Sequence, residues 1–335
     1  MTYDYSNFDQ FGIKDDTERY LYATWLMFVV TCSLFGDTII LVASLRYNAF
    51  YLHHSVVVFI QHIAICDLLN ATGNIFPAFT SLLSNTGGSN SVLKYFRFFI
   101  NYWVFTASPA LTSFMTLSKL LLLRYPLRVS TWTKRQAHLL CVTLWTLSLS
   151  VPLLHLTVDT ADVIFDFRSY TYNYKYSSTI WRISMPVTAL LAHLAPNICI
   201  ITSTVLLLLD ARKVARKSHE SLRWQGTMTV VLTASVYTLS FLPITVYFIV
   251  EPFVGRDPQV PGMFYKEFYR LSEAVLTINV LSNFFIYGLT VRSFRNFLKS
   301  KLLPSSALKQ NFNTGVCTGK LCNSVQINKN AIESN

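Results

Sequence analysis

Seven apolar segments, at about 20–46, 55–83, 95–124, 137–158, 181–210, 224–250 and 265–290, alternate with short polar linkers along the 335-residue chain. A bilayer's hydrocarbon core takes roughly 20 apolar residues per helical crossing, so each segment is predicted to be a membrane-spanning helix. The linker charges sort by side. Arg46, then Arg128, Lys134 and Arg135, then Arg212, Lys213, Arg216, Lys217 and Arg223 follow spans one, three and five, and Arg292, Arg295, Lys299 and Lys301 follow span seven. Asp4, Asp9, Asp15, Asp16, Glu18, Asp159, Asp162, Asp166, Glu251, Asp257 and Glu267 gather on the other side. Lys and Arg accumulate in the cytoplasm, so the amino terminus is expected outside and the carboxyl terminus inside, which requires an odd number of spans.

The polar stretches divide the chain into residues 1–19 as an extracellular arm, 20–303 as the membrane domain and 304–335 as a disordered cytoplasmic tail. The arm is too polar to be a cleavable signal, so the first span is expected to serve as its own. Its Tyr3 and Tyr5 stand near acids, where sulfation is an option and plain tyrosine the simpler expectation. Before span five, Phe165, Phe167, Tyr170, Tyr172, Tyr174 and Tyr176 alternate with polar residues, a period of two that favours a β-hairpin lid. A merely tyrosine-rich loop is the other reading. Past span seven, Phe294, Phe297 and Leu298 share one helical face with Arg295 and Lys299 off it, predicting a short amphipathic helix on the inner membrane surface.

Composition sharpens this picture. Hydrophobic residues make up 52% of the chain and charged residues only 13%, far from a soluble domain of this size. The net charge of +11 would suit nucleic acid, but its sorting between two sides of a membrane accounts for it without such a partner. Cys32, Cys66, Cys141 and Cys199 fall inside spans and Cys317 and Cys322 in the tail, so no extracellular disulfide framework is expected. His62, His155 and His193 have no metal-ligand spacing. No phosphate-binding loop or Gly-x-Ser-x-Gly elbow is present, and no feature points to an enzyme.

Polar groups inside spans are functional candidates, because a central charge costs roughly 2.5–3.5 kcal/mol on insertion scales. Here they are Asp37, Asp67, Asn101, Ser108, Ser118, Lys119, Glu273, Asn279 and Asn283. Two acids with asparagines and a serine could hold a small cation or share protons. They could equally form a polar network that only pins helix packing.

Several of these residues sit in an ordered set of motifs. Gly36-Asp37 in span one, Ala64-x-x-Asp67 in span two, Ser118-Lys119-Leu120 followed by Pro126-Leu127 after span three, Trp145 and Pro152 in span four, and Pro196 in span five occur in that order. Span six carries Tyr237-x-x-Ser240-Phe241-Leu242-Pro243, and span seven Asn279-x-x-x-Asn283-Phe-x-x-Tyr287 with Phe294 beyond. From about residue 30 to 298 the pattern resembles the rhodopsin-like (class A) G-protein-coupled receptors. The fold class it implies is an all-α membrane protein, a seven-transmembrane helix bundle with a short amphipathic helix after the last span. The function it implies is transduction of an extracellular ligand signal to heterotrimeric G proteins from the plasma membrane.

The resemblance assigns roles residue by residue. Asp67, Ser108, Asn279 and Asn283 match the family's internal sodium pocket, so Na⁺ is the one expected allosteric ion and no other cofactor is implied. Phe241 replaces the toggle tryptophan, and Pro196, Pro109 and Pro243 stand where helices bend. Lys119, Phe241, Pro243 and Tyr287 are the expected activation and coupling residues. Arg97, Asn101, Phe105, Phe248, Tyr269 and Glu273 are expected to face the ligand, with Tyr102 near them.

The departures are as informative. Lys119 keeps the charge of the family's arginine without its planar fork, Ser118 removes the adjacent acid, and Arg223 stands where span six offers an acid partner. The family's ionic latch is therefore not expected to form, leaving raised basal signalling or a different latch. Thr204 replaces the tyrosine of span five. Lys94 stands where span three has the cysteine that ties down the outer loop. Asn101 in place of an aspartate disfavours a biogenic amine, and Thr277 in place of a lysine disfavours retinal. Glu273 beneath an acidic, aromatic outer surface suits a peptide or a cationic small molecule, unless it only pairs with Arg97 or Lys94. The competing functions are a seven-span decoy or scaffold that does not couple, and an ion or proton pathway through Asp37, Asp67 and Glu273.

Overall fold

The structure, a computed structural model, describes residues 16–46, 53–77, 79, 91–125, 132–158, 162–166, 171–175, 184, 186–215, 221–254 and 262–302. Within them run seven long helices: α1 (Asp16–Arg46), α2 (His54–Asn70), α3 (Ser91–Arg124), α4 (Lys134–Val158), α5 (Ala195–Ala215), α6 (Ser221–Val254) and α7 (Gly262–Thr290), then the short α8 (Arg292–Leu302). Leu21, Phe35, Leu45, Leu139, Leu147, Leu191, Leu239, Leu271 and Leu289 lie exposed on the outside of this bundle. Large apolar side chains on the outer faces of nearly every helix, with their backbone bonds closed inside each helix, are what a lipid solvent requires.

Six of the seven helices are apolar and long enough to cross a membrane by composition alone. The exception is α3, which carries Arg97, Asn101 and Lys119 among its 34 residues. It tolerates them because it is the central helix, packed against α2, α4, α5 and α6, so its polar side chains meet protein rather than lipid. Ala107, Leu111, Met115 and Thr116 on it are almost completely buried.

Two helices widen into a π turn, over Ala71–Ile75 in the continuation of α2 and over Ala189–Leu194 at the entry to α5. Pro77 and Pro196 each follow two residues later. A proline has no N–H to donate and its ring pushes the preceding turn outward, so the chain relaxes into the wider turn. Pro109, Pro152 and Pro243 sit inside α3, α4 and α6, which continue through them.

The hairpin expectation is met. Strand β1 (Asp162–Asp166) pairs antiparallel with β2 (Thr171–Lys175), Phe165 opposite Tyr172 and Val163 opposite Tyr174. It is the one sheet among the described residues of an otherwise helical molecule. The amphipathic α8 is also present: Phe294 is fully buried, edge-on to Phe284 at 6.2 Å and stacked on Phe297 at 6.3 Å. Arg295 donates to the Leu289 carbonyl, which caps the end of α7 with a positive charge.

Helix α1 begins at Asp16, four residues before the apolar segment it continues into. The expected arm before it, the sulfation candidates and the tail from 304 lie outside the described residues. Cys32, Cys66, Cys141 and Cys199 are free thiols. With four thiols on the helices and Lys94 at the top of α3, a membrane-impermeant reductant is expected to leave surface level and thermal unfolding unchanged. Loss of surface protein on reduction, followed by flow cytometry, would contradict this.

Candidate functional site

The expected functional residues lie at three levels along α3. The first is aromatic. Phe105 meets Phe241 of α6 edge-on at 5.6 Å and Phe248 at 6.5 Å, and Tyr237 stacks under Phe241 at 4.1 Å and 17°. Tyr102 lies 6.5 Å from Phe248 and 4.6 Å from Phe98. These pairs sit within the range where edge-to-face and offset stacking are favourable, so α3 and α6 are joined by continuous ring contact. Phe241 thus stands between the rings of Phe105 and Tyr237.

Sequence reasoning missed one member of this group. His193, in the π turn before α5, stacks on Phe248 at 6.3 Å and meets Phe105 edge-on at 6.1 Å. It is 5% exposed, and its Nδ1 makes no hydrogen bond. Its cue was available: the π turn rotates residues ahead of Pro196 inward, and a histidine four residues before Asn197 acquires a partner whose Nδ2 donates to the His193 carbonyl at 2.9 Å. Arg97 is buried near the start of α3, while Asn101 and Glu273 are half-buried. The Tyr269 side chain lies outside the described residues, although its backbone belongs to α7.

The middle level is polar. Asn283 Nδ2 of α7 donates to Asp67 Oδ2 of α2 at 2.6 Å, and Ser33 Oγ donates to Asp37 Oδ2 of α1 at 2.7 Å. Asp37, Asp67, Ser108, Asn279 and Asn283 are all at most 4% exposed. The two carboxyl groups are close enough to feel each other's charge. Tyr237 faces Ser108 across the α3–α6 contact, and Tyr287 faces Thr233 and Asp67. Asp67 and Asn283 are therefore brought into direct contact, and Ser108 faces Tyr237.

Lys119 lies at the third level. It is half-buried and stands five residues before the end of α3, nearer the helix end than its apolar surroundings in the sequence suggest. Beside it, the rings of His53 and His54 lie 4.0 Å apart, tilted by 33°, at the start of α2. Burial, then the His54 ring and the Lys119 ammonium, lower the His53 pKa from its usual 6.5. A neutral ring accepts: Ser55 Oγ lies 2.8 Å from His53 Nδ1 and 3.3 Å from Ser118 Oγ. The hydrogen bonds then run in one direction, from Ser118 to Ser55 to His53, tying α3 to α2 where the acid beside Lys119 is absent. Two residues of that link, His53 and Ser55, were not singled out in the sequence, because they meet Ser118 only through the fold.

A second tie closes the same end. Arg124 Nε donates to Asp210 Oδ2 of α5 at 2.6 Å. Asp210 is an acid just ahead of the bases Arg212, Lys213, Arg216 and Lys217, and that oddity was its signal. Thr229 of α6 donates to Thr290 of α7 at 2.9 Å.

These three levels are in the order the motifs imply, and residues 36–287 match the family model of the 7 transmembrane receptor (rhodopsin family). The chain belongs to this family. It is a multi-pass membrane protein of a receptor family rather than of an enzyme family. No curated protein matches it.

On the lipid side of this receptor, Trp145 Nε1 donates to His62 Nδ1 at 3.2 Å, and Trp103 Nε1 donates to the Trp145 carbonyl at 3.0 Å. With Nδ1 accepting, His62 carries its proton on Nε2 and donates it to His138 Nδ1 at 3.2 Å. His62 is thereby a satisfied link between α2 and α4. Among the described residues no group of three or more His, Cys, Asp or Glu side chains could hold a metal ion.

Proposed function

We propose that this receptor sits in the plasma membrane with its amino terminus outside and its carboxyl terminus in the cytoplasm, and passes the arrival of an extracellular ligand to a heterotrimeric G protein. The observation that carries the reading is the unbroken ring stack from Phe248 and Phe105 through Phe241 to Tyr237, which ends at Ser108. A ligand seated against Phe105 and Phe248 presses on Phe241, and packed interiors respond by switching between discrete arrangements rather than deforming smoothly. Such a switch in α6 is the movement that opens a cytoplasmic cleft next to Lys119.

A peptide or cationic small molecule is the ligand class that Glu273 and the acidic outer residues favour. Asp67, with Ser108, Asn279 and Asn283, supplies the oxygen donors of a Na⁺ pocket that holds the inactive arrangement. Lys119 supplies the positive charge at the coupling face, and Tyr287 and Pro243 the polar and bending elements of α7 and α6.

Guanine-nucleotide exchange, measured in membranes against each G-protein class, tests the proposal. The natural chain is expected to accelerate exchange on at least one class, and Lys119→Ala to lower that rate at equal surface level. Membranes holding the natural chain that match empty membranes for every class, with and without acidic- or basic-peptide fractions, would exclude coupling.

A further inference from the structure

The family's pattern has an asparagine where this chain has Asp37, so the middle of the bundle holds two carboxylates. Asp37 is 1% and Asp67 3% exposed. A cationic side chain does not neutralise them. Arg97 is the buried Lys or Arg among the described residues, and it stands 11 residues from Ser108 along α3, as Lys119 does on the other side. At 1.5 Å per residue each is about 16 Å away along the helix axis. A single Na⁺ would leave one negative charge buried, which is costly in a low-dielectric interior.

The oxygens at this level are also incompletely used. Ser33 occupies Asp37 Oδ2, while Asp37 Oδ1 makes no hydrogen bond. Asn283 gives its Nδ2 to Asp67, and its Oδ1, on the same amide and so beside that carboxylate, makes none either. Ser108 Oγ, which faces the Tyr237 hydroxyl, is a third buried oxygen at this level. Carboxylate, amide and hydroxyl oxygens are the donor set of hard divalent cations, which take six or more oxygen ligands and use waters to complete the shell. We propose that Asp37 converts this level into a divalent-cation site of the Ca²⁺/Mg²⁺ class, with Asp37, Asp67, Asn283 and Ser108 as its protein ligands. The inference rests on the reading of this level as a cation pocket, and it changes the charge of the ion the pocket takes.

Thermal unfolding of the purified full chain in phosphatidylcholine nanodiscs, followed by tryptophan fluorescence at near-neutral pH, tests it without reference to signalling. CaCl₂, MgCl₂ and NaCl are titrated at matched ionic strength in an N-methylglucamine background. The natural chain is expected to show a saturable rise in Tm of about 3–5 °C with a divalent salt and a much smaller one with NaCl. Asp37→Asn, which carries the amide of the family pattern, is expected to lose the divalent response and keep a sodium response. Asp67→Asn is expected to lose both. A natural chain that responds to NaCl alone overturns the proposal while leaving the sodium pocket intact. A chain indifferent to every cation but stabilised as the pH falls overturns both, because the pair then holds a proton. Equal divalent responses in the natural chain and Asp37→Asn would also overturn it, since Asp37 is then no ligand. Should Asp37→Asn fail to fold, the salt selectivity of the natural chain decides.

Discussion

Replacing Gly73 by alanine is expected to strip most of the folded receptor from the cell surface, and adding Ile100→Ala is expected to return a large part of it. A methyl at Gly73 would stand 2.7 Å from Ile100 Cγ2, 3.1 Å from its Cγ1 and 3.2 Å from its Cβ. Ile100 is 6% exposed and wedged between α2 and α3, so it has no room to withdraw. Overpacking a filled interior costs about 1–3 kcal/mol, roughly 5- to 150-fold in the folding equilibrium. In a bilayer no hydrophobic gain offsets this, because helix association depends on close packing through small residues. Truncating Ile100 removes both offending γ carbons and leaves only the Cβ contact.

Gly36 supplies the control. A methyl there would meet Phe284 Cβ at 2.9 Å, an atom fixed to the backbone of α7. Gly36→Ala should therefore be equally damaging, yet Phe284→Ala should not rescue it, since alanine retains that atom. Surface immunostaining and size-exclusion of the extracted protein measure all four variants. Normal surface levels for Gly73→Ala, or equal rescue at both sites, would contradict the packing argument.

Asp210→Asn and Arg124→Ala are each expected to raise ligand-independent nucleotide exchange by about 2- to 5-fold. The ion pair they remove joins the end of α3 to α5 at 2.6 Å, with side chains 39% and 17% exposed. A pair so placed is worth about 0.5–1 kcal/mol after solvent screening, and shifting an inactive–active equilibrium by that amount gives the stated range. It is a different latch from the one the family pattern provides, and it works where Ser118 leaves Lys119 without an adjacent acid. The charge-swapped pair, Arg124→Glu with Asp210→Arg, should bring basal exchange back toward the natural level. Single variants with unchanged basal exchange at matched surface level would show that the pair does not restrain activation.

Much of this receptor is legible along the chain, and the reason differs by feature. Helix number follows from bilayer thickness, which sets one length for every span, and the hairpin agrees with two period-two runs of aromatics, Phe165 and Phe167, then Tyr170, Tyr172 and Tyr174. Asp67 and Asn283 could be named as partners because their motifs have fixed places in the family. Arg124 and Asp210 could not, since 86 residues separate them and neither belongs to a motif. The same holds for His53 and Ser55, which belong to no motif and meet Ser118 only across the bundle. The histidines divide sharply: His62 is a structural link and His193 a member of the ring cluster, though both look alike as single polar residues in apolar runs.

What the sequence determined by itself is the part governed by one-dimensional constraints: the membrane-crossing helices, the amphipathic α8 and the family. The tertiary structure alone decided which polar groups meet. Widened turns before Pro77 and Pro196 rotate whole helix segments, and that rotation carries His193 to Phe248. The approach of α1 to α7 at Gly36 and of α2 to α3 at Gly73 sets the distances that bring Asp37 within electrostatic reach of Asp67. Periodicity specifies which residues share a face, but the angle at which two faces meet is a property of packed side chains. For that reason Lys119 of α3 acquires His53 as a neighbour only once the helices are in place.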